Sequence, residues 1–366
     1  MKKLLLLCGV ILAVLLPITV LGDEYENALI VLTFDEALTL ALEDIPALMD
    51  LESRIEELED EIYDLNESYR RIRWQVSSSM LDNMRRQMIE LERRLESITL
   101  DRDIMTLRRE QSLINALLNI INIALDIETA EASLVITAEQ LRRAELLHRF
   151  GFASASEVRT AQARLTQEQM SFENHLIAQT SAQNNLNLLL GQHADVLIYV
   201  KFERELPELP EDLTNHIEAL TAQAPNIRQM QFNVYRRSED LERHLAAYRQ
   251  RGERPPRDCE TCEALQEAYD RAVLEQNIAI RGMEASLRTA YNNLEQLQTQ
   301  EAAARLALAQ AEENLQTAQT NLDLGRVTQF DIDIAEFAIF SAQQTIERIL
   351  YMQWGMVLGL KNPVLL

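Results

Sequence analysis

The chain has 366 residues with 9 Gly, 8 Pro and 5% aromatics, too few turn residues for a β-sandwich or barrel, whose turns recur about every 8–12 positions. Its formal charge of −23 argues against nucleic acid as a partner, because phosphate binding needs a basic face. It is rich in Ala, Leu, Glu, Gln and Arg, residues that lose least on entering a helix, and the expected fold class is all-α.

Residues 1–22 read as a signal peptide: Lys2-Lys3, an apolar run from Leu4 to Leu21, then Gly22 before the acidic Asp23-Glu24. A retained membrane anchor is the competing reading, since the run approaches the ~20 residues that span a bilayer. Either way the rest is expected outside the cytoplasm, with no second apolar stretch of that length.

Thr33 and Glu36 fit a capping box opening a short helix that stops before Pro46. A counterpart runs from Leu213 through Ala222 and stops before Pro225. Between Pro46 and Gly151 there is neither Gly nor Pro. Two or three helices are expected there, broken at polar spots such as Asn66-Glu67-Ser68 or Leu100-Asp101. Leu113, Leu117, Ile120, Ala124 and Ile127 recur at three and four, a helical stripe. It continues through Ala130, Leu134, Ala138 and Leu141, with small residues that let helices approach closely.

The chain then repeats itself. Gly151, Ser154 and Glu157 are matched by Gly325, Thr328 and Asp331: a glycine, a hydroxyl three positions on, an acid three further. This spacing suits a left-handed helix end followed by a capping box. Repeats of this size set the fold, and the expected domains are 23–195 and 196–366, two tandem helical hairpin repeats with long antiparallel coiled-coil packing. Cys259-Glu260-Thr261-Cys262 is the other candidate site. A disulfide, an inter-subunit bridge or an exposed pair without a role are all open. No second Cys pair exists and the five His are scattered, so no metal is expected. No HExxH, GxSxG, Walker or glycine-rich nucleotide motif is present, which points to a non-enzyme without a cofactor.

Leu32-Thr33-Phe34-Asp35-Glu36-Ala37-Leu38 with Pro46, the Gly151 and Gly325 turns, and the closures Leu190-Gly191 and Leu358-Gly359 together resemble the TolC-type outer-membrane efflux proteins. The resemblance spans about 30 to 360. It implies a homotrimer whose hairpins form an α-helical tunnel, with tips that meet a periplasmic adaptor of an ABC or other exporter. The docking tips would be Gly151, Phe152, Ser154, Gly325, Arg326 and Thr328. Glu157 and Asp331 would form acidic gating rings, or simply cap helices; the family's second gating acid falls on Ile334 here. The family also inserts a β-hairpin of each half into a membrane barrel, whose strands need ~9–11 alternating residues. The equivalent stretches here, about 66–105 and 240–270, are charged with helical spacing or polar loop. The expectation is a TolC-like tube without barrel strands, in the cell envelope, its membrane association open. The alternative is an extracytoplasmic coiled-coil scaffold without a conduit.

Overall fold

The computed structural model describes residues 29–43, 45–74, 77–193, 196–201, 212–254, 256 and 259–361. The signal-peptide reading, with Cys8, lies outside them. In chain order the elements are β1 (Leu29–Thr33), α1 (Phe34–Leu42), α2 (Pro46–Ile72), α3 (Ser78–Arg149), α4 (Ala155–Leu189), β2 (Leu197–Lys201), α5 (Leu213–Gln223), α6 (Pro225–Gln250), α7 (Glu260–Asp323) and α8 (Gln329–Lys361). The order strand, short helix, medium helix, very long helix, long helix occurs twice. Pro46 opens α2 and Pro225 opens α6, each supplying a fixed φ where no N–H partner is needed.

Two expectations change. The long Gly- and Pro-free segment does not break at Asn66-Glu67-Ser68 or Leu100-Asp101; it breaks between Ile72 and Ser78. The first triplet is tolerated on an accessible face of α2, and Leu100 is 2% exposed, so packing holds the helix through both. α3 also carries an 18-residue stretch long and apolar enough to span a bilayer, less than half of it buried. An apolar stretch of that length therefore does exist beyond residue 22, punctuated by Asn115, Asn119 and Asn122.

The strands were not foreseen. Leu29-Ile-Val-Leu-Thr33 pairs in parallel with Leu197-Ile-Tyr-Val-Lys201, Leu29 opposite Leu197 and Thr33 opposite Lys201. Among the described residues this two-stranded sheet is the whole β content. At five residues each the strands are about half the length that crosses a bilayer. Where barrel hairpins would fall, the described residues are mostly helical: α2 leads into α3, and α6 into α7, with non-helical residues after Gln250 where the polar loop is expected.

The chain forms two compact units, each drawing on both halves of the sequence. One comprises Met1–Ala37, Asn115–Glu203 and Leu297–Met352 and holds the sheet and the two glycine tips. In it Asp126 pairs with Arg348, and Gln344 donates to Glu128 at 2.8 Å, tying α3 to α8. Buried Asn187 closes the end of α4: its amide donates to the carbonyls of His193 (3.0 Å) and Val196 (2.8 Å). The Gln- and Asn-rich end of α4 is thus partly packed rather than a wet face.

The other unit comprises Leu38–Ile114, Arg204–Gln296 and Gln353–Leu366. Its core joins Ile217 of α5, Ile227 of α6, Met283, Leu287, Tyr291 and Leu294 of α7, and Val357 and Leu360 of α8. The α7 members recur at three and four, the spacing of one helical face. Here Arg93 of α3 pairs with Glu239 of α6, and Gln229 of α6 donates to Asp101 of α3 at 2.7 Å.

Candidate functional site

Each glycine tip is built by the backbone before any side chain acts. Gly151 has φ +78° and Gly325 φ +67°, left-handed values that cost a residue bearing Cβ. Past α3, Gly151 N–H donates to His148 O (2.9 Å) and Phe152 N–H to Leu147 O (2.8 Å). Past α7, Gly325 N–H donates to Leu322 O (2.9 Å) and Arg326 N–H to Asn321 O (2.8 Å). This pair of bonds satisfies carbonyls that a helix end leaves without partners.

The next helix starts three residues on. Glu157 N–H donates to Ser154 Oγ (3.2 Å), and Ser154 N–H donates back to Glu157 Oε2 (2.5 Å), a complete capping box. At the second tip Thr328 N–H and Thr328 Oγ1 both donate to Asp331 Oδ2, at 2.7 and 2.8 Å. The backbone N–H of Thr328 is the main reason the Asp331 carboxyl sits below its ordinary value of 3.8, followed by the Thr328 hydroxyl and the charge of Arg143. Both acids assigned to gating are thus bound to caps within one chain. Ile334, where a second gating acid would fall, is 40% exposed, and Asp333 accepts from Gln329 at 3.2 Å.

Arg143, which the sequence reading did not single out, joins the two tips. It lies two turns before the end of α3, donates to Thr328 Oγ1 at 3.5 Å, and stacks 5.5 Å from the Phe330 ring. No local signal marks a pair 185 positions apart. Around this link Phe150, Phe152 and Leu324 are 69%, 81% and 59% exposed, an apolar rim on turns that need none for folding.

At the α6–α7 turn, Cys259 and Cys262 are joined in a disulfide across a Cα–Cα distance of 5.2 Å. His244, scattered in sequence, arrives beside them because α6 runs back along α7: its Nε2 is 3.7 Å from Cys259 Sγ, and Tyr248 Oη is 3.9 Å from the same sulfur. His244, Cys259 and Cys262 place their ligand atoms within 4.8 Å of one another. With the sulfurs bonded to each other neither is a thiolate, and three ligands fall short of a closed four-ligand zinc site.

No family model matches the sequence, and no curated protein is similar to it. Solved structures are. The outer membrane protein VceC of Vibrio cholerae superposes with a TM-score of 0.66 at 14% identity, over 91% of this chain and 96% of that one. This chain has the TolC-type fold. The outer-membrane channel OprN follows at TM-score 0.65 and 15% identity, over 91% of this chain and 89% of that one. For the Campylobacter jejuni outer membrane channel CmeC the values are 0.61 and 11%, over 91% and 85%. In this chain the Gly151 and Gly325 turns each join two long helices, α3 to α4 and α7 to α8.

Proposed function

We propose that this protein is an exported component of a cell-envelope efflux system, in which three copies form a helical duct whose tips dock an adaptor. The carrying observation is the TolC-type fold over nine-tenths of the chain. Apolar side chains left uncovered on single helices support it. Met170 and Ile177, seven apart on α4, are 60% and 65% exposed; Leu274 and Ile278, four apart on α7, are 59% and 61%. Stripes at coiled-coil spacing normally face another helix, and further copies of the chain would supply one.

In this reading residues 23–195 and 196–366 are the duplicated repeats. Gly151, Phe152, Ser154, Gly325, Arg326 and Thr328 form the docking tips, and three copies of Glu157 and Asp331 ring the tip. The role is transport, not catalysis: acids at the tips serve caps, and no reaction is assigned to them. The replacement of barrel strands by helical hairpins favours a second reading, an envelope scaffold that kept the hairpins and carries nothing. The oligomeric mass from Asp23 onward, measured by light scattering at several concentrations, separates them. A stable trimer supports the duct; a monomer at every concentration sinks it and leaves the scaffold.

A further inference from the structure

The α2–α3 and α6–α7 hairpins end side by side. Arg93 meets Glu239 and Asp101 meets Gln229, so α3 and α6 run antiparallel with position numbers summing to about 331. That register sets Arg251 level with Met80, and the two turns lie at one end of their unit. Arg85 of α3 reaches Tyr69 of α2 at 3.0 Å, which places the end of α2 there too.

This end is basic in a chain of charge −23. Around the first turn Arg70, Arg71, Arg73, Arg85 and Arg86 are exposed against two acids, the exposed Asp82 and the half-buried Glu67. Around the second, Arg249, Arg251 and Arg254 face the exposed acids Glu253, Glu260 and Glu263, so the excess of positive charge lies on the first turn. Arg71 pairs with Glu67 and Arg251 with Glu253 at 3.6 Å; among the described residues the other six have no carboxylate partner. Trp74 stands in the first turn, 82% exposed, with Arg73 stacked 4.8 Å from its ring, and Met80, at the start of α3, is 48% exposed. Nothing in the fold uses this indole.

We propose that this paired hairpin end docks on the surface of an anionic phospholipid bilayer. Arginines near such a surface are attracted to acidic headgroups, and an exposed Trp belongs at the headgroup level, where one end of the ring is apolar and the other wet. The charge contrast also orients the molecule, because the acidic remainder is repelled from the same surface. The inference does not depend on the duct: a monomer that still brings Trp74 to lipid would sink the duct and keep this surface.

The test uses the full chain and Trp74 emission rather than bound mass, since the Leu4–Leu21 run can partition by itself. The chain has two Trp, and the other, Trp354, is 5% exposed, so a blue shift reports the hairpin end. Expected is a blue shift on adding mixed phosphatidylcholine–phosphatidylglycerol vesicles at low salt, reversed by high salt and missing in Trp74→Phe. Arg73→Gln and Arg251→Gln should each weaken the partitioning read by that shift roughly fivefold, the equivalent of about 1 kcal/mol, with circular dichroism unchanged. Three results would overturn the proposal. One is no shift with anionic vesicles. Another is an equal shift with pure phosphatidylcholine. The last is binding to heparin, a soluble polyanion, while vesicles leave Trp74 unmoved.

Discussion

Ser154 and Thr328 open α4 and α8 by the same device, and their costs can be separated. Ser154→Ala removes the oxygen that accepts from Glu157 N–H, a cap loss of roughly 0.5–2 kcal/mol in denaturant unfolding. Gly325→Ala keeps every hydrogen bond but forces a Cβ into φ +67°, costing about 1–2 kcal/mol. Open space around that Cβ would not relieve it, because the strain is in the backbone. Asp331 adds a pH signature. Its folded value is depressed, so its contribution is present above the unfolded value near 3.8 and is lost as pH falls through the folded value. The melting-temperature difference between wild type and Asp331→Ala should be constant from pH 7 to about 5 and shrink below 3.8. A difference that grew on acidification would refute the assignment. These caps were legible because glycine, hydroxyl and acid sit within seven residues. Arg143 was not, since its partner is 185 positions away. His244 reaches Cys259 only because α6 and α7 fold back on each other.

Among the helices, α7 shows how a local pattern becomes packing. Met283, Leu287, Ala290, Tyr291 and Leu294 line one face, and Leu287 is completely buried where α5, α6 and α8 converge. Leu287→Ala should cost about 2–5 kcal/mol, the range for a core leucine whose neighbours cannot collapse into the space. The same truncation at Leu306, which is 74% exposed, should change stability by less than about 0.5 kcal/mol. Both are read from the midpoint of chemical unfolding. Stripes of this kind were visible in sequence at Leu113, Leu117 and Ile127, all now buried. Where a helix stops was harder to see. Asn66-Glu67-Ser68 reads as a break but is carried by solvated positions on α2, whereas the turn after Ile72 has no glycine or proline to announce it. The strands were missed for a related reason: five-residue runs such as Leu-Ile-Val-Leu-Thr and Leu-Ile-Tyr-Val-Lys cannot be told from a buried helix turn by periodicity. Only pairing with a segment 168 positions away makes them a sheet.

For the whole molecule, the question is what covers the apolar residues that one chain leaves in water. Met170 and Ile177 on α4 contribute nothing to the core of a lone subunit. Met170→Glu with Ile177→Glu should therefore leave the fold of a monomer intact, each change worth less than about 0.5 kcal/mol. If these side chains are the seam between copies, the two carboxylates are buried without partners on association, and burying an unpaired charge costs several kcal/mol. Assembly should then fail while helicity stays. Light scattering of the variant beside wild type, with circular dichroism on the same samples, reads both quantities. Loss of the oligomer with unchanged helix content locates the seam on α4 and makes the tip acids worth pursuing as rings. An oligomer of unchanged mass shows that α4 faces water in the assembly, and the subunit contact must then be sought along Leu274 and Ile278 of α7. Loss of helicity in the variant would contradict the exposure of both residues, and with it the packing of α4 itself.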